Sequence, residues 1–76
     1  MRYTVDALRE DVEALNRTLE RLRLDQRLSV GHMAGHTTIE LDIGVLAIGV
    51  LAFGEPKDCL FAGYGYVAGQ LNGAQP

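Results

Sequence analysis

The chain has 76 residues, 47% of them hydrophobic, with a net charge of −3, no tryptophan and a single cysteine, Cys59. A chain this short forms one domain whose core is marginal unless a disulfide, a metal or a further chain adds to it, and a lone cysteine excludes an intrachain disulfide. Six Arg balance six acids in residues 1–30, and Lys57 stands against Glu40, Asp42, Glu55 and Asp58 in the remainder, so no basic stripe marks a nucleic-acid surface.

Arg2-Tyr3-Thr4 leads into a charged segment rather than an apolar run, which argues against a secretory signal. The longest apolar run, 43–54, has 12 residues, against the roughly 20 needed to span a bilayer. These features point to a cytoplasmic protein with neither nucleic acid nor membrane as its partner.

Residues 4–28 carry the strongest pattern. Val5, Leu8, Val12, Leu15, Leu19 and Leu22 recur at spacings of three and four, the signature of an amphipathic helix. Thr4 is placed to cap it, Asp6 falls in its first turn, and Arg9 with Glu13 and Glu13 with Arg17 are opposite charges four residues apart. As heptads the stripe stops at Gln26 and Ser29, too short for a free-standing coiled coil. It serves equally as a seam between subunits or as a face packed on its own chain.

Residues 29–37 read as a loop because Gly31 and Gly35 interrupt the pattern. Residues 38–72 then read as an apolar, Gly-rich helical hairpin. Thr37-Thr38-Ile39-Glu40 has capping-box spacing, and Ile39, Ile43, Leu46, Val50 and Phe53 share one helical face, with Leu41, Val45 and Ile48 nearly opposite. Gly54-Glu55-Pro56-Lys57 supplies a stop and a turn, and Asp58 a cap. Leu60, Tyr64, Val67 and Leu71 make the last stripe, and 73–76 a tail.

The fold expected is therefore all-α, a single domain over 1–76 with a long amphipathic helix followed by a short helical hairpin. The alternative is α+β, because residues 38–43 alternate strictly and 63–67 are rich in strand formers, which makes a hairpin from about 38 to 70, turning at 55–58.

His32-Met33-Ala34-Gly35-His36 is similar over five residues to the His-Glu-x-x-His core of zinc peptidases. Met33 stands where the general-base Glu belongs, and a thioether takes no proton from metal-bound water, so the resemblance implies no peptidase activity. On a helix, His32, His36 and Glu40 would lie in one row and could share a structural metal, with Cys59 as a further donor, although solvent-facing histidines in a loop are the plainer reading. Cys59 itself reads as a buried or intersubunit thiol.

No enzyme and no cofactor are indicated. The leading expectation is a self-associating protein-binding adaptor or inhibitor, most simply a homodimer, with Val5, Leu8, Val12, Leu15, Leu19, Leu22, Leu60, Tyr64, Val67 and Leu71 at the interface. In size and style it matches many viral and mobile-element products. Two alternatives stand beside it: a protein that sequesters a nucleotide-like small molecule between subunits through Tyr64, Tyr66, His32 and His36, and a hairpin that lies on a membrane surface.

Overall fold

The computed structural model describes residues 2–44 and 47–74. In chain order these form α1 (Val5–Arg21), β1 (Gln26–Met33), β2 (His36–Ile43), β3 (Ala47–Gly54) and α2 (Pro56–Ala74). The strands make an antiparallel meander in the order β1-β2-β3. Both helices lie on one face of it, α1 against β1 and α2 against β2 and β3. The result is a slab of 40 × 30 × 15 Å with one helical layer and one sheet.

The all-α expectation is thus overturned: the fold is α+β, with three strands where a loop and a helix were expected. Residues 29–37 contain most of β1, a two-residue turn and the start of β2. The turn residues Ala34 and Gly35 have φ of 53° and 80°, the sign pattern of the type I′ turn that matches strand twist. Thr37 and Glu40, read as a capping box, lie within β2. The α+β alternative has the right class and places a strand at 38–43, within β2, but its second strand, 63–67, belongs to α2. Val45 and Leu46, assigned to a helical face, fall outside the described residues.

α1 starts as expected: the Thr4 side-chain oxygen accepts from the Ala7 N–H at 3.1 Å. It ends seven residues early. Leu22 is the C-cap, and Arg23 adopts φ 58°, so that its N–H donates to Glu20 and the Leu24 N–H donates back to Leu19. That pair of bonds is a Schellman closure, here built on an Arg where Gly is usual. The expected pairing of Glu13 along the helix is replaced by an ion pair with Arg27 of β1 at 3.1 Å. Pro56 opens α2 at the position where its missing N–H costs nothing, and Asp58 sits within the first turn rather than capping it.

The core between the layers is small. Among the described residues the buried apolar side chains are Leu8, Val12, Leu19, Leu28, Ile39, Leu41, Cys59 and Val67. The α1 stripe therefore packs on its own sheet: Leu8, Val12 and Leu19 are buried within the chain, and Leu15 packs against them. Gly63 lets α2 approach closely, since a Cβ there would stand 2.7 Å from the Ile39 terminal methyl and 3.4 Å from Leu15.

One polar group is sealed into this core. Asn16, 2% exposed, donates from its amide nitrogen to the Leu28 carbonyl at 2.9 Å, and its amide oxygen accepts the Leu28 N–H at 2.7 Å. Leu28 faces Leu41 across the β1–β2 ladder, and Asn16 takes both of its main-chain groups on the side away from β2. The side chain thereby stands in for a neighbouring strand.

Two outcomes follow from this packing. Asn16→Ala leaves two buried backbone groups unpaired and is expected to lower unfolding free energy by about 2–4 kcal/mol in urea titration. Gly69→Ala, at a helical position with nothing within 4 Å, is expected to raise it by about 1 kcal/mol, whereas Gly63→Leu drives a side chain into Ile39 and lowers it.

Candidate functional site

The sheet has two faces and two edges, and they differ sharply. The helix-side face carries the core. On the open face, β2 presents Thr38, Glu40 and Asp42, and β1 presents Arg27, Ser29 and Met33. β3 presents Ile48, Val50 and Phe53, which remain 74%, 60% and 61% exposed, while Met33 is 75% exposed.

The spacing in β3 has a local cause. Ile39 pairs with Ala52 and Glu40 with Val50, so Leu51 is an extra residue in the ladder, a β-bulge. Leu51 and Ala52 both pack toward the helices. The bulge thus rotates Phe53 onto the same face as Val50, three residues away. Phe53 then stacks on the His36 ring, with centroids 4.6 Å apart and planes at 21°.

The two edges differ in what covers them. Asn16 occupies the outer edge of β1 at Leu28, and the Glu13–Arg27 ion pair lies beside it. Among the described residues, Ile48, Val50 and Phe53 have no hydrogen bond beyond the sheet's own ladder. β3 also contains no charged residue and no Pro, the usual devices that blunt an edge.

At the hairpin end, an open cleft of about 900 Å³ lies between the start of α1, the β1–β2 turn and the start of α2. Arg2, Thr4, His32, Thr37, Glu55 and Lys57 are among its lining residues.

The residues singled out from sequence are dispersed. His32 projects to the helix side, its Nδ1 3.3 Å from the Thr37 hydroxyl, while His36 and Glu40 project to the open face. The metal row His32, His36 and Glu40 therefore does not form, because the two-residue turn at Ala34 and Gly35 sets His32 of β1 on the face opposite His36 and Glu40 of β2, where one continuous helix would align all three. No group of three metal-binding side chains comes together among the described residues. Of the ligand set, His32 lines the cleft; Tyr64 is exposed on α2, and the Tyr66 hydroxyl donates to Gln26 at the far end of β1. Of the interface set, Tyr64 and Leu71 are exposed, whereas Leu8, Val12, Leu19 and Val67 are buried within the protomer.

Cys59 is fully buried, its thiol 3.4 Å from the Thr37 carbonyl oxygen. Burial, and then the charge of Asp58, push its pKa above the usual thiol range. The Tyr3 hydroxyl, which donates to Asp11, is likewise raised, chiefly by desolvation and then by that bond.

The open strip along β3 and the Asn16 bonds at Leu28 on the other edge were not singled out from sequence. Asn16 did carry a signal, since it lies four residues after Val12 and three before Leu19, on the apolar face.

No family model, curated protein or solved structure matches the chain. No helix among the described residues is long and apolar enough to cross a membrane.

The thiol offers a direct check. A disulfide exchange reagent is expected to label Cys59 only as fast as the chain unfolds, with labelling complete in denaturant. Rapid labelling of the folded protein would show that α2 does not seal the thiol as described. The raised Cys59 and Tyr3 groups also set a sign: the folded state holds both protons more tightly than the unfolded chain, so their contribution is complete below their ordinary values and is lost as the pH rises beyond them.

Proposed function

We propose that the chain is a self-associating protein-binding module, an adaptor or inhibitor that acts by docking and not by catalysis. The observation that carries this reading is the uncharged strip of Ile48, Val50 and Phe53, more than half exposed on a strand whose outer edge pairs with no strand among the described residues. Exposed apolar residues scattered singly are ordinary, but a contiguous row on a sheet edge is a surface that pairs with something. A small core makes the same argument from the other side, since burying that row adds apolar contact that the protomer lacks. The buried free thiol is in keeping with a reducing cytoplasm, the compartment expected from the sequence.

The small-molecule alternative retains one supporting observation, the cleft lined by Arg2, His32 and Lys57, which suits an anionic ligand better than a neutral one. Titration calorimetry with nucleotides tests it, and Arg2→Ala with Lys57→Ala is expected to abolish any heat observed.

Light scattering behind size exclusion at two concentrations and two salt levels tests the leading reading. A mass of twice the chain, insensitive to salt, is the expected result. A monomer of 8.3 kDa at every concentration contradicts self-association.

A further inference from the structure

Building on the self-association reading, we propose that the partner on β3 is a second copy of the same chain, paired edge to edge and antiparallel about a two-fold axis near Val50, so that two three-stranded sheets become one of six strands.

The argument begins with charge. A two-fold axis sets each residue near it against its own copy, so a column of charge would meet like charge, and an interface at the axis must be close to neutral. β3 is the one strand that satisfies this: β1 carries Arg27, and β2 carries Glu40 and Asp42. The outer face of α1 carries Arg9, Glu10, Glu13 and Arg17 and offers no comparable apolar row. On the other sheet edge Asn16 takes both main-chain groups of Leu28, whereas among the described residues no side chain takes a main-chain group on the outer edge of β3 at Ile48, Val50 or Phe53.

Geometry adds a second layer. α2 lies over β3, so joining two β3 edges also makes the two α2 helices neighbours. Adjacent strands are about 4.8 Å apart and packed helices 8–10 Å, spacings that are compatible when each helix sits above and slightly behind its edge strand. On α2, Phe61 is 70% and Tyr64 64% exposed, and Gly65 has open space at its Cβ position. Aromatic area flanking a small residue is what such a helix pair needs, and it supplies burial beyond the few hydrogen bonds of an eight-residue strand. On the opposite face, the same operation turns two rows of Ile48, Val50 and Phe53 into one apolar band across the axis.

The experiment uses Val50→Lys and Val50→Glu, separately and mixed, measured by light scattering, with circular dichroism to confirm the fold. Each variant alone is expected to be a folded monomer, with dimer affinity reduced on the order of a hundredfold by like charge at the axis. Mixing them is expected to restore a dimer containing one of each, which a variant that merely failed to fold could not do. If both variants keep the wild-type mass, or if the mixture stays monomeric while both are folded, the second copy does not pair at β3, and the proposal is overturned while self-association through another surface stands. A wild-type monomer overturns both.

Discussion

The structure depends on the amide of Asn16. Two hydrogen bonds of 2.9 and 2.7 Å tie the middle of α1 to both main-chain groups of Leu28, in the arrangement that a further strand would offer. The pair fixes the rotation of α1 about its axis, and therefore decides that Leu8, Val12 and Leu19 face the sheet. It also occupies the outer edge of β1 at Leu28. A buried polar group is costly only when unpaired, and here both of its hydrogen-bonding ends are satisfied.

Closing one edge by a side chain makes the molecule asymmetric, and its surface chemistry follows that asymmetry. On the β1 side, charge and a hydrogen-bonding amide shield the backbone. On the β3 side, an uncharged strand carries exposed Ile48, Val50 and Phe53, whose main chain has no hydrogen bond beyond the ladder with β2 among the described residues. With both helices on one face, no described element covers the opposite face. The docking proposed at β3 would use that edge and the apolar row together.

How much of this was legible depends on how each element signals itself. α1 announced itself through its stripe and the Thr4 cap, both local. Its end did not, because the left-handed residue is Arg23, and nothing in that side chain marks such a turn. The strands were concealed by a coincidence of spacing: the Leu51 bulge turns the two-residue period of β3 into a step of three between Val50 and Phe53, and that step continued a helical series from Ile39 and Ile43. In the folded chain the series divides, with Ile39 on the helix side of β2 and Val50 and Phe53 on the open face of β3. The dispersal of His32, His36 and Glu40 follows from the same misreading, since residues four apart align on a helix, whereas the hairpin turn between the two histidines puts them on opposite faces. The edge strip itself could not be read without knowing which strand lies outermost.

Amide hydrogen exchange, followed residue by residue at high and low protein concentration, tests the asymmetry of the two edges most directly. The account predicts that the Leu28 amide exchanges slowly at both concentrations, because Asn16 of the same chain holds it. It predicts that the outward amides of β3 are protected at high concentration and exposed on dilution, as a partner leaves. Fast exchange at Leu28, or β3 amides whose protection is the same at every concentration, would contradict it.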